Sequence, residues 1–156
     1  MSETIRQFES EFITRKDNTI HLERNSSDRQ GQKVLSKKLK CYTCNPKKYV
    51  KNHTFYTDGI FNFHFDLTKR PLIIITPNRH VETTLELTKD EVYNLFIVVD
   101  KFCNDRDIED YQLLTNMGSW KTHIHLHWKL KINEDICFRM KQDHFKLKKL
   151  EQNYAV

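Results

Sequence analysis

Residues 123 to 130 read His-Ile-His-Leu-His-Trp-Lys-Leu, a strict alternation of polar and apolar side chains. Successive side chains of a β-strand point to opposite faces, so this pattern predicts a strand over His123 to Lys131. Ile124, Leu126 and Trp128 would then line a core while His123, His125 and His127 share the other surface. The plain alternative is a polar strand face rich in histidine. Imidazole binds metals, moves protons and acts as a nucleophile near neutral pH, so three on one pleat point to chemistry.

A chain of 156 residues suits one domain with one core. The expected organisation is a polar, basic N-terminal extension over 1–40, a domain over 41–139 and a basic C-terminal tail over 140–156. Ile5, Phe8 and Phe12 recur at helical spacing within the extension. At 38% hydrophobic and 30% charged the composition is globular, and no apolar run reaches the roughly 20 residues that cross a bilayer. The start of the chain lacks the features of a secretory leader, so an intracellular protein with reduced cysteines is expected. The net charge of +5 is uneven, with seven lysines and no acid between Gly31 and Lys51. Such clusters favour polyanions, nucleotides and nucleic acids among them, or serve only as solvated surface.

Runs at Thr54 to Tyr56 and Ile60 to Phe65 flank Asp58-Gly59 and predict a hairpin. Leu72 to Ile75, between Pro71 and Pro77, predicts a buried strand. A helix should start at Thr88, with Glu91 completing a capping box and Leu87 stapled to Val92. Its buried face is expected to carry Val92, Leu95, Phe96, Val99 and Cys103. Tyr111 to Asn116 and Ile136 to Arg139 complete the expected strands. The predicted class is α+β: an antiparallel sheet of about five strands with one long helix packed on it.

In an extended strand His123 and His127 have Cα atoms about 13 to 14 Å apart, too far for one ion to be held by all three imidazoles. A metalloenzyme with all three as ligands is therefore disfavoured, and the three should divide their work. Cys41-Tyr-Thr-Cys44 offers half of a tetrahedral metal site. His53, His64, His80 or one of the clustered histidines could complete it. Cys103 and Cys137 are sufficiently explained as small apolar side chains in the core.

These residues together resemble the histidine triad superfamily of nucleotide hydrolases and transferases. His123 to Lys129 fits the pattern His-φ-His-φ-His-φ-φ, φ being apolar, except that Lys129 replaces the last apolar residue. Gly118 precedes the first histidine by five residues, Leu72 to His80 looks like the family's strand ending in Pro-Lys-x-His, and Cys41-x-x-Cys44 matches the zinc-containing branch. The resemblance implies a structural zinc held by Cys41, Cys44, His80 and His123. It implies that His125 attacks the α-phosphorus of a nucleotide derivative to give a covalent nucleotidyl-histidine, and that His127 assists at the phosphate. Gly118 and Ser119 would stabilise the phosphoryl oxygens, Gln112 or Asn116 would lie near the phosphates, and Asp66 would meet the ribose. Phe61 and Phe63 would contact the base or pack in the core. Trp120 departs from the family, which often has Ser or Thr there. Small triad proteins are often homodimers. The competing reading is a catalytically silent, zinc-stapled module that binds RNA or DNA through its basic segments.

Overall fold

The computed structural model describes residues 41, 43–121 and 123–154; the helix expected near Ile5 to Phe12 lies outside them, as does the rest of 1–40. A short helix α1 (Lys48–Lys51) leads into the hairpin β1 (Thr54–Thr57) and β2 (Phe61–Phe65). Its turn forms for a local reason: Asp58 Oδ1 accepts from the amides of Ile60 and Phe61, and Gly59 takes φ +89°, a conformation that L side chains resist. β3 (Leu72–Pro77) follows, then helix α2 (Lys89–Asp105), β4 (Gln112–Leu114), β5 (Trp128–Lys131) and helix α3 (Glu134–Tyr154). The strands form one antiparallel sheet in the order β1-β2-β3-β5-β4.

One face of that sheet is the core. Phe61, Phe63 and Phe65 of β2, Ile73 and Ile75 of β3, and Trp128 and Leu130 of β5 are buried against Leu95, Val99 and Phe102 of α2 and Cys137 of α3. Each such large side chain contributes about 1.5–3 kcal/mol by leaving water. Phe61 and Phe63 are fully buried, so they pack the core and leave no ring surface for a base. α2 has the predicted capping box, Glu91 N to Thr88 Oγ1 at 3.1 Å and Thr88 N to Glu91 Oε1 at 2.9 Å. Its buried stripe differs from the expected one: Phe96 is 57% exposed, while Val98 and Phe102 are buried.

Two expected strands are corrected. Ile136 to Arg139 lies inside α3, which runs unbroken past residue 139 into the segment expected as a tail. Asn133 Oδ1 accepts from Ile136 N, and Glu134 and Asp135 fill the first turn, where acids complement the helix dipole. α3 is tied down by Lys141 Nζ, which donates to the carbonyls of Asp66 and Thr68, and by His144 Nε2 against the Asn52 carbonyl. The strand expected from His123 begins only at Trp128. Its partner β3 ends at Pro77, which has no N–H to continue the ladder. The chain turns off instead, and Leu126 N donates to the carbonyl of Val81 at 2.7 Å.

Candidate metal centre and adjoining open sheet face

Because residues 123–127 bend rather than extend, their imidazoles are not laid along one pleat. His123 and His127 bring their ring centroids to 5.6 Å, so the extended-strand separation does not hold. His125 turns the other way and meets the cysteine turn. Its Nδ1 lies 3.6 Å from Cys41 Sγ and 3.4 Å from Cys44 Sγ, and His80 Nδ1 lies 3.6 Å from Cys44 Sγ. The four donor atoms of Cys41, Cys44, His80 and His125 all lie within 4.8 Å of one another.

These spacings suit a shared ion. Tetrahedral zinc with bonds of about 2.3 Å to sulfur and about 2.0–2.1 Å to nitrogen sets sulfur and nitrogen about 3.6 Å apart. The outer nitrogen of His125 is arranged as a metal-bound imidazole requires. His125 Nε2 is 2.9 Å from the Pro77 carbonyl and must donate to it. His80 Nε2 is 3.5 Å from Glu82 Oε1, within ion-pair reach but without hydrogen-bond alignment. Without a cation, burial and the neighbouring Cys41 push the Cys44 thiol up to about 12; a bound metal removes that obstacle by holding the thiolate. The four residues could therefore bind a metal ion.

Local structure prepares each ligand. Asn45 N closes the cysteine turn on the Cys41 carbonyl at 2.8 Å. Arg79, beside His80, pairs with both carboxylate oxygens of Glu91 at 3.0 and 2.6 Å and donates to the Glu86 carbonyl. Glu86 Oε2 accepts from the amides of Glu82 and Thr83. The loop after β3 is thus held against the start of α2.

The placement of His125 corrects two expectations. The structure puts His125, not His123, beside the thiols. It also buries His125 to 2% exposure with both ring nitrogens engaged, which leaves it no lone pair for a phosphorus atom. His127 differs. Its Nδ1 lies 3.0 Å from the His125 carbonyl; a carbonyl only accepts, so Nδ1 carries the proton and Nε2 keeps its lone pair. Burial lowers the His127 pKa to about 4, with Lys129, Lys121 and His64 adding to the effect against the opposing hydrogen bond to His125. The ring is neutral at pH 7.

The face of the sheet opposite the core carries the rest. Across the strands His64 of β2, Ile74 of β3, Lys129 of β5 and Leu114 of β4 form one row. Lys121 is buried, and its Nζ donates to the Glu82 carbonyl. Gln112 is exposed on β4 and Asn116 is half-buried just after it. Gly118 and Ser119 are exposed in a 3-10 turn, Gly118–Trp120, where Gly118 takes φ +59°, and Trp120 is 77% exposed. Asp66 is not available to a ribose: Oδ1 accepts from the amide and hydroxyl of Thr68, and Oδ2 from Arg70 at 2.6 Å. It closes the turn between β2 and β3. Sequence reasoning missed Lys129, Lys121 and His64 as groups acting on His127; His64 and Lys129 are aligned through the pairing of β2 and β5 with β3, which no spacing within one segment reveals.

No family model matches this sequence, and no curated protein does. Among solved structures the chain is similar to a histidine triad protein from Clostridium difficile, at 19% identity over 60% of this chain and 90% of that one, TM-score 0.49. It is likewise similar to a HIT family hydrolase from Clostridium thermocellum, 23% identical over 60% and 90% of the two chains, TM-score 0.49. A third is a hypothetical histidine triad nucleotide-binding protein from Sulfolobus tokodaii, 23% identical over 60% and 68%, TM-score 0.48. The likeness is one of fold alone. Among the described residues no helix is long and apolar enough to cross a membrane.

Proposed function

We propose that the chain is a nucleotidyl hydrolase or transferase acting at the α-phosphate of a nucleotide derivative, with His127 as its nucleophile. The observation that carries this reading is the bond from His127 Nδ1 to the His125 carbonyl, which aims a neutral imidazole's lone pair away from the metal centre. In the first step Nε2 forms a bond to phosphorus while the bond to the leaving group breaks. Water or another acceptor then attacks phosphorus, the nucleoside monophosphate or its ester departs, and the acceptor's proton passes to solvent. Gly118 and Ser119 sit in the turn that would face the phosphoryl oxygens, with Gln112 or Asn116 nearby. His123, set edge-on to His127, would assist proton transfer. Two thiolates and two imidazoles favour zinc as the ion; zinc there would supply a structural clamp. Cys41, Cys44, His80 and His125 would hold it, and His125 passes its position to His127 through one peptide carbonyl.

Mass spectrometry after exposure to adenosine phosphoramidates, dinucleoside polyphosphates, cap analogues and adenylylated DNA ends tests this. An acid-labile adduct on His127, absent from His127→Ala, is expected. An adduct that persists in His127→Ala, or none with any substrate, overturns it. The nucleic-acid module is favoured by exposed Lys146 and Lys149 on α3. It requires oligonucleotide binding that weakens steeply with salt and is unchanged in His127→Ala. A homodimer takes support from the edge position of β4 and from exposed Tyr93, Phe96 and Ile97 on α2; Phe96→Glu should then yield monomers by light scattering.

A further inference from the structure

We propose that Cys41 and Cys44 are an oxidative modification site: hydrogen peroxide joins them as a disulfide, and the ion they share with His80 and His125 is released. This rests on the metal centre of the proposed reading and is independent of its nucleotidyl transfer. Of the four cysteines, Cys44 is exposed and Cys41 half-buried, while Cys103 and Cys137 are 1% and 2% exposed inside the core. A small oxidant in water therefore reaches the pair and not the other two.

The pair is also built to close on itself. Asn45 N folds back on the Cys41 carbonyl at 2.8 Å, and residues i and i+3 of such a turn have Cα atoms within about 7 Å of each other. Disulfides span Cα separations up to about 6.8 Å. The two sulfurs already meet the same atom, His125 Nδ1, at 3.6 and 3.4 Å, and lie within 4.8 Å of each other. Side-chain rotation then brings them to bonding distance with the backbone in place.

Zinc, when bound, keeps both sulfurs as thiolates, the form that peroxides attack. Cys44 Sγ attacks one peroxide oxygen, the O–O bond breaks, and the departing hydroxide is protonated to water, leaving a sulfenic acid. Cys41 Sγ attacks the Cys44 sulfur, the S–O bond breaks, and a second hydroxide is protonated. Two thiolates, one hydrogen peroxide and two protons thus give one disulfide and two waters: sulfur is oxidised and peroxide reduced. Two of the four donors are then consumed. His80 and His125 remain, fewer than the three or four protein ligands that zinc sites use, and the His125 ring keeps only its bond from Nε2 to the Pro77 carbonyl.

The experiment loads reduced wild type with zinc and titrates it with hydrogen peroxide. A chromophoric chelator reads free zinc while mass spectrometry reads the thiols. One zinc per chain should appear as the peptide holding residues 41–44 becomes lighter by two hydrogens. Labelling of that peptide by iodoacetamide should fall at least about tenfold below that of the reduced, zinc-free protein. Cys103 and Cys137 should label only after unfolding, and reductant with added zinc should restore the starting state. Zinc that stays bound under peroxide, zinc released with Cys41 and Cys44 as separate sulfinic acids, or a bond from either cysteine to a second chain would overturn the proposal. A reduced protein that takes up no zinc sinks the metal centre itself; zinc uptake followed by thiols that never pair sinks only this inference.

Discussion

The two ends of the segment Ile124 to Trp128 meet different surroundings. At the candidate metal centre His125 spends Nδ1 on the thiol pair and Nε2 on the Pro77 carbonyl. On the open sheet face His127 spends only Nδ1, and its partner is the backbone of His125 itself. One peptide unit therefore joins a ring fixed by ligands to a ring whose second nitrogen is available. The difference teaches that nearly equal burial, 2% and 6%, does not assign a histidine its role; the inventory of its two nitrogens does.

The comparison breaks most visibly at His127. His127→Ala should lower turnover on the order of a millionfold, as loss of a covalent nucleophile does, while one metal ion per chain remains by elemental analysis. The reverse pattern, metal lost and turnover kept, would exchange the two roles. Next in size, replacing Cys41 and Cys44 by serine should release the metal and lower the thermal midpoint on the order of 10 °C, with turnover falling because the His125 carbonyl is no longer held.

A pH series sharpens the contrast. Burial holds both His64 and His127 near 4, below their usual 6.5. Both are neutral in the fold and take up protons on unfolding between those values, so stability declines as pH falls from about 6.5 towards 4 and levels off below. His64→Gln should reduce that slope in denaturant titrations at pH 7, 6 and 5; an unchanged slope would mean that His64 does not titrate this way. The smallest effect is expected at Thr115, whose hydroxyl donates to the His127 carbonyl at 2.6 Å. Thr115→Val should cost about 1 kcal/mol, and a larger fall in turnover than in stability would show that this bond orients the ring.

What the sequence disclosed was mostly local. The Asp58-Gly59 hairpin and the Thr88–Glu91 cap are readable because the interacting groups lie within a few residues of each other. α3 was hidden for the opposite reason: Ile136, Cys137 and Phe138 look like strand formers over a short window, although Asn133-Glu134-Asp135 ahead of them is a helix start. Phe96 was placed on the wrong face because helical spacing gives a stripe without saying where its edges fall. The cysteine pair and His80 were legible as ligand types, yet the choice of His125 over His123 depends on where β3 stops and how the chain turns after losing its ladder at Pro77. That is a relation between segments about 50 residues apart, and alternation within one segment does not carry it.

The exposed Trp120 has a practical consequence. The chain has two tryptophans, and the other, Trp128, is only 6% exposed. Emission from the intact protein should therefore hold a long-wavelength component open to acrylamide and a shorter-wavelength one shielded from it. The first reports on the Gly118–Trp120 turn and the second on the packed sheet, so one spectrum can follow events at the rim and melting of the interior without any attached label.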